Sequence, residues 1–158
     1  MYDVLNKVFS IFLAFLALVL APLTFSTLCS DMVTSREVLN DTSRFIDMVT
    51  DKGYVTQDDL DDFYLSINSH GGVYSAEVVH YQLIEEPMPG GTTKVLYVAN
   101  SGISDLEQGL VASVTLNTKD CVKVHVQAVA YTFGERLLYT VLRIDKGSQD
   151  FYLAGTVG

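Results

Sequence analysis

A long uncharged segment near the start of the sequence limits most strongly what this chain can fold into. The residues from Val8 to Leu28 read VFSIFLAFLALVLAPLTFSTL and include no charged side chain. A helix rises about 1.5 Å per residue, so about twenty such residues cross the ~30 Å hydrocarbon core of a bilayer, where a single proline is tolerated. Residues 8–28 are therefore predicted to form a transmembrane helix, with the anchor residues Phe9, Ile11, Phe12, Leu13, Phe15, Leu16, Leu18, Leu20, Pro22 and Phe25.

A cleaved signal peptide is the alternative interpretation of this segment. Such a peptide begins with a basic region, has a shorter apolar run and ends in small residues before its cleavage site. Here the start, MYDVLNK, sets Lys7 and the terminal amine against Asp3, the apolar run is longer, and no A-x-A sequence follows it. The length of the run favours a retained membrane anchor.

The net charge of the chain lies after the anchor. Asp3 and Lys7 cancel, so the formal net charge of −9 belongs to the residues beyond the apolar segment. Lys7 and the terminal amine favour a cytoplasmic N-terminus, with the C-terminal domain outside the cell membrane, because basic residues are retained on the cytoplasmic side. An acidic domain without clusters of Lys and Arg binds nucleic acid poorly, so no nucleic-acid partner is expected.

Apolar residues after the anchor keep a helical period. Their spacings of three, four and seven place them on one stripe, and no Gly or Pro interrupts residues 29–52. The anchor helix is therefore predicted to continue as an amphipathic stalk that ends at Gly53. The residues expected to pack the stalk on the globular head are Met32, Leu39, Phe45, Ile46 and Val49, with Val38 on the same stripe.

The segment DKGYVTQDDLDDF, residues 51–63, is predicted to be a corner between two helices. Thr56 and Asp59 have the spacing of a capping box, and acidic residues in a first turn suit the helix dipole. A calcium loop is the alternative, but with Gly53 at its sixth position Met48 and Lys52 would occupy positions that must supply oxygen. The acidic residues expected to form a solvated, partner-facing patch are Asp58, Asp59, Asp61 and Asp62, opposite an apolar face of Leu60, Phe63, Tyr64 and Ile67.

The second half of the chain has the patterns of strands and short helices. VYSAEVVHYQLI, KVLYVA and DFYLAGTV are predicted strands, VASVTL and CVKVHVQAVA a hairpin, and EEPMPGGTT a loop. SDLEQGL and TFGERLLYTVLRI are predicted helices, beginning at Ser104 and Thr132. The fold class is α+β with an antiparallel sheet, divided into an N-terminal segment with its anchor (1–28), a helical stalk and helix-turn-helix (29–70) and a sheet domain outside the membrane (71–158).

The sequence contains no recognised motif for catalysis or cofactor binding. His70, His80 and His125 lack metal-ligand spacing, and there is no nucleophile elbow, P-loop or dinucleotide fingerprint. We therefore expect no enzymatic activity, no metal and no cofactor. The nine tyrosines could form a sugar-binding surface, but most lie in strand patterns. Cys29 and Cys121 are expected to be free thiols, although a disulfide outside the cell is the alternative.

Four stretches of the chain follow one another in a familiar order: SREVLNDTSRFIDMVTDKGYVTQDDLDDFYLSI, GGVYSAEVVHYQ, TLNTKDCVKVHVQA and the terminal AGTVG. This order resembles that of TadE-like pseudopilins of tight-adherence (Flp-type) pilus systems, particularly short single-anchor versions with a helix–G-x-[VI]-T–helix segment. The resemblance covers most of the chain and rests mainly on apolar patterns and turn residues.

The resemblance implies a pilin-like, non-enzymatic structural component that helps to assemble or initiate a surface pilus or secretion fibre. In such proteins the apolar helix is first a membrane anchor and then, in incorporated subunits, part of the fibre core. The implied partners are other pilin-like subunits and membrane platform proteins. No Gly precedes the anchor, and Asp3 is the only early acidic residue, which favours a minor, membrane-resident or tip-initiating component. The alternatives are a membrane-tethered binding module and a subunit of a conjugation-type envelope machine.

Overall fold

A computed structural model describes residues 2–89, 91–130, 136, 139, 140, 143 and 150–158. Three helices and two antiparallel sheets make up the described part of the chain, which confirms the α+β class. The helices are α1 (Tyr2–Lys52), α2 (Gln57–Ser69) and α3 (Gly102–Glu107). The strands are β1 (Tyr54–Thr56), β2 (Tyr74–Pro87), β3 (Thr93–Asn100), β4 (Ser113–Thr115), β5 (Cys121–Ala128) and β6 (Asp150–Thr156).

Helix α1 is continuous over 51 residues, as the absence of Gly and Pro from 29–52 predicts. Pro22 lies inside it. The chain divides into two compact units, one of residues 1–34 and 131–147 and the other of residues 35–130 and 148–158. The second unit contains residues 35–52 of α1 together with α2, α3 and all the strands named above.

The four-stranded sheet has the order β3-β2-β5-β6, with every neighbouring pair antiparallel. Strand β2 is long enough to pair with β5 through its first half and with β3 through its second half. The predicted hairpin of β4 and β5 is wrong. β5 has β2 and β6 on its two sides, so no edge is left for β4, which pairs instead with β1 in a separate two-stranded sheet.

The hydrophobic core of this unit lies between the inner face of the sheet and the helices. α2 contributes the apolar face predicted for it, with Leu60, Phe63 and Ile67 buried. β5 contributes every second residue, because alternate side chains of a strand point to opposite faces. The buried members on β5 are Val122, Val124 and Val126, and those on α3 are Ile103 and Leu106.

Three predicted boundaries differ from the structure. The loop predicted over 85–93 is shorter, because β2 extends to Pro87 and β3 begins at Thr93. Helix α3 begins at Gly102 rather than at Ser104, because the Asn100 side chain accepts a hydrogen bond from the Gly102 N–H and so turns the chain earlier. The helix predicted from Thr132 lies mostly outside the described residues.

Candidate functional site

The N-terminal part of α1 presents an apolar surface. Among the described residues, one helix is long and apolar enough to cross a membrane, with a mean hydropathy of 2.5 over its most apolar window. Nearly all of the predicted anchor side chains are exposed, whereas Leu20 is half-buried. Exposed apolar side chains on this scale require a non-aqueous partner, which a bilayer supplies. The helix and its composition are thus consistent with a single-pass membrane protein.

A proline and a threonine hydroxyl affect the backbone hydrogen bonds of the helix in this region. Pro22 has no N–H to donate, so one backbone hydrogen bond of the helix is missing. The Thr24 hydroxyl donates to the carbonyls of Leu20 and Ala21, at 2.8 and 2.9 Å. The carbonyl that Pro22 leaves without its usual donor is that of Leu18, four residues earlier, so these bonds do not replace the missing one. They are the ordinary contacts of a threonine hydroxyl with the preceding turn of its own helix.

The stalk residues of α1 follow a narrower buried stripe than the sequence predicts. Phe45, Ile46 and Val49 are buried as expected. Met32 and Leu39 are not, since they are 64% and 42% exposed. The buried positions advance by four and three residues, through Val38, Thr42, Phe45 and Val49, and each residue turns the helix by about 100°. Leu39 and Met32 therefore lie about 100° or more from the stripe. Ile46 has nearly the same angle as Leu39, but it is buried because β6 approaches it at Gly155.

Thr42 occupies the buried position that the apolar pattern misses. Its hydroxyl is fully buried but donates to the Val38 carbonyl at 2.7 Å. A buried polar group is tolerated when it is hydrogen-bonded, so a threonine can take a core position here. A hydrophobicity pattern alone cannot identify such a residue.

The corner between α1 and α2 is built around Asp59. Thr56 and Asp59 form the predicted capping box, and the Asp59 carboxylate also accepts two hydrogen bonds from Lys52, at 2.8 and 2.9 Å. Burial alone would raise the pKa of Asp59, but the bonds from Lys52 and Thr56 outweigh it and lower that pKa. Asp59 therefore does not belong to an outward-facing patch, because its carboxylate is used within the fold.

An open groove of about 350 Å³ lies between α1 and α2. Its apolar floor contains Phe45 and Phe63, whose rings stack with centroids 4.4 Å apart. Asp62 is exposed at its rim, as the predicted patch requires, and Asp58 and Asp61 are also exposed on α2. The groove is lined by Asp41, Arg44, Phe45, Met48, Asp59, Asp62, Phe63 and Ser66.

Asp41 links α1 to the end of α2. Its carboxylate accepts a hydrogen bond from the Ser66 hydroxyl and lies 2.8 Å from His70 Nε2. His70 Nδ1 lies 3.1 Å from the Glu37 carboxylate, so His70 stands between two acidic side chains of α1. Burial opposes ionisation of Asp41, but the bonds from Ser66 and His70 prevail and lower its pKa. The sequence pattern gives no indication of this network.

A second histidine–carboxylate pair is buried in the sheet. His80 Nε2 lies 2.9 Å from Asp120, and both side chains are almost fully buried. The Asp120 carboxylate also accepts hydrogen bonds from the backbone N–H groups of Leu83 and Asn117. Burial acts to raise the pKa of Asp120, but these donors lower it overall. The pair lies next to the end of the pairing between β2 and β5, which is at Tyr81 and Cys121.

The described residues contain no group of three or more His, Cys, Asp or Glu placed to hold a metal ion. Cys29 and Cys121 are free, with Cys29 exposed and Cys121 half-buried. Burial raises the pKa of the Cys121 thiol, and Lys123 offsets only part of this rise. The raised pKa makes the Cys121 thiol less reactive than it would be in water.

No protein-family model, curated protein or solved structure matches the chain. The likeness to TadE-like pseudopilins thus stays a prediction from the residues quoted above.

Proposed function

We propose that the chain is a membrane-anchored, pilin-like structural component that helps to assemble or initiate a surface fibre. The proposal rests on one observation, which is that the two parts of α1 have different surroundings. Its N-terminal part is apolar and exposed, while residues 38–49 of the same helix contribute to the core of an α+β unit with an antiparallel sheet. This combination supports a pilin-like subunit by analogy of architecture.

The proposal places the N-terminus in the cytoplasm and the sheet domain outside. Other pilin-like subunits and membrane platform proteins are the proposed partners, and the apolar surface of α1 is the proposed contact. Helices in a membrane associate through close packing rather than through the hydrophobic effect, so the contact requires matched surfaces.

The experiment is purification of the tagged full chain from its native membrane in a gentle detergent. We expect other single-anchor, pilin-like subunits to co-purify, and deletion of the gene to reduce surface fibres. A lone monomer, together with normal fibres in the deletion strain, would contradict the proposal. A Leu65→Ser variant, which loses an exposed apolar residue on α2, should co-purify the same subunits as the parent, because the proposed contact is made by the anchor.

A membrane-tethered binding module is the second candidate function. It is favoured by an open trough on the outer face of the four-stranded sheet, bordered by Tyr81, Tyr97 and Lys123. These residues lie on β2, β3 and β5 and not on α1. Ligand binding at the trough and assembly through the anchor therefore use different surfaces.

A further inference from the structure

The face of the four-stranded sheet that points away from the core carries a trough of about 340 Å³. Pairing between strands explains its shape. Tyr81 on β2 is opposite Cys121 on β5, and Cys121 is opposite Thr156 on β6, so a large side chain is followed by two small ones. The trough is lined by Tyr81, Tyr97, Cys121, Lys123, Ala154 and Thr156.

The two tyrosines form one wall of the trough. Tyr97 on β3 pairs with Leu83, two residues beyond Tyr81, so Tyr81 and Tyr97 are diagonal neighbours on the same face. Tyr97 is half-exposed although it belongs to the central part of β3. Tyrosine combines a broad apolar ring with a hydroxyl, and this combination suits contact with a ligand that is itself amphipathic.

Lys123 is held at the trough by a chain of contacts. Its ammonium nitrogen lies 4.7 Å from the centroid of the Tyr152 ring, an attractive cation–π arrangement. The Tyr152 ring stacks on His125 at 4.1 Å with an interplanar angle of 9°, and His125 is hydrogen-bonded to Asp150. A flexible side chain that is already ordered loses less entropy when it binds a ligand.

The charge of the trough is opposite to that of the chain. The sequence has 19 acidic and 10 basic residues, yet those described residues that line the trough include one lysine and no carboxylate. The Lys123 ammonium and the Thr156 hydroxyl supply hydrogen-bond donors, and the tyrosines supply apolar surface. A cation is repelled by Lys123, whereas a carboxylate would form a charge-assisted hydrogen bond with it.

We infer that this trough binds an acidic saccharide, a sugar ring that carries a carboxylate. The ring lies against Tyr81 and Tyr97, and the carboxylate is bound by Lys123. The trough is open, so the hydroxyls of the sugar that do not contact the protein remain in water, and a longer chain can continue across the sheet. The inference deepens the second candidate function and does not depend on assembly through the anchor.

The test is isothermal titration of the full chain in detergent micelles with trigalacturonic acid, which has a carboxylate on each ring. The neutral comparison is galactotriose. We expect trigalacturonic acid to bind, and galactotriose to bind at least about tenfold more weakly, because it cannot form the charge-assisted bond. Absence of binding by trigalacturonic acid, or equal affinity for both sugars, would overturn the inference.

Matched variants locate the binding. Lys123→Gln should reduce affinity for trigalacturonic acid about tenfold, whereas Lys94→Gln, which removes the same charge from exposed β3, should not. Tyr97→Ser should reduce affinity about threefold to tenfold, and Tyr97→Phe should retain it, because the ring supplies the contact. Equal losses in the Lys123 and Lys94 variants would show nonspecific charge attraction and overturn the site. Unchanged circular dichroism establishes that each variant is folded.

Discussion

Ile46 on α1 lies directly over Gly155 on β6. A Cβ atom built on Gly155 would stand 2.3 Å from Ile46 Cγ2 and 3.4 Å from Thr50 Cγ2. The first distance is far below van der Waals contact, so only a glycine permits helix and strand to approach this closely. Gly155 therefore fixes the packing of the C-terminal part of α1 on the sheet.

Replacing Gly155 by alanine should destabilise the sheet unit. The methyl group of Ile46 that it meets is attached at a branched carbon and cannot turn away without moving the rest of the side chain. We expect a loss of about 1–3 kcal/mol in the free energy of unfolding, the usual cost of overpacking. Urea unfolding in detergent micelles, followed by circular dichroism, measures it.

Gly158→Ala is the matched control, because a Cβ at Gly158 meets nothing within 4 Å. Its stability should stay within about 0.5 kcal/mol of the parent. The double variant Ile46→Ala with Gly155→Ala should lose less than the sum of the single changes. Strict additivity would show that these two residues do not contact each other as described.

Asp120→Ala should destabilise the fold because it leaves buried donors without an acceptor. The N–H groups of Leu83 and Asn117 and the His80 side chain all lose their partner. We expect a loss of about 2–4 kcal/mol at pH 7. Glu85→Gln, a change at an exposed carboxylate on β2, is the control and should change stability by less than about 0.5 kcal/mol.

Asp120 should also make the parent protein sensitive to acid. Its pKa is lowered in the folded state, so its contribution to stability is present above the unfolded pKa of about 4 and is lost as the pH falls through the lower folded pKa. The difference in the free energy of unfolding between the parent and Asp120→Ala should therefore shrink as the pH falls below about 5. A difference that is constant with pH would contradict this role.

The cap of α2 is an independent test of the corner. Thr56→Ala removes the hydroxyl that accepts from the Asp59 N–H, and should cost about 1 kcal/mol. Thr56→Ser keeps a hydroxyl and should stay within about 0.5 kcal/mol of the parent. Both are measured by urea unfolding, and equal losses in the two variants would argue against the capping role.

These elements differ in how much of them the sequence can predict. The length of α1, its stop at Gly53 and the cap at Thr56 follow from local rules, because each depends on residues within one or two turns. The pairing of β4 does not follow from local rules. Both β1 and β5 could pair with it, and β5 is excluded because β6, which comes later in the chain, occupies its second edge. The Asp41–His70 and His80–Asp120 pairs join residues distant in sequence, and a single sequence carries no signal for them.

The candidate binding surfaces show the same division. The apolar anchor is evident from composition, whereas the trough depends on the register of four strands. Tyr81, Cys121 and Thr156 share one row only because of that register. Asp58, Asp61 and Asp62 are exposed on α2, but Asp59 is not, because its carboxylate accepts from Thr56 in the cap and from Lys52 across the corner.

The proposed orientation can be tested with the native thiol at position 29. Cys29 is exposed and follows the apolar segment, so it should react in intact cells with a maleimide that cannot cross the membrane. Cys29→Ser should remove most of the labelling, because the other thiol, Cys121, is half-buried and its burial raises its pKa. A cysteine introduced by Asn6→Cys in the Cys29→Ser background should react only after the cells are lysed. Labelling of position 6 in intact cells would show the opposite orientation and contradict the proposal.

Cross-linking along the anchor tests the central claim most directly, namely that the apolar part of α1 packs against other subunits. A photoreactive amino acid is placed at successive positions from Phe9 to Phe25 in the full chain, and the membranes are irradiated. The proposal predicts cross-links to a second anchored subunit that recur with the period of about 3.6 residues of a helix face. Cross-links to lipid alone at every position would contradict it.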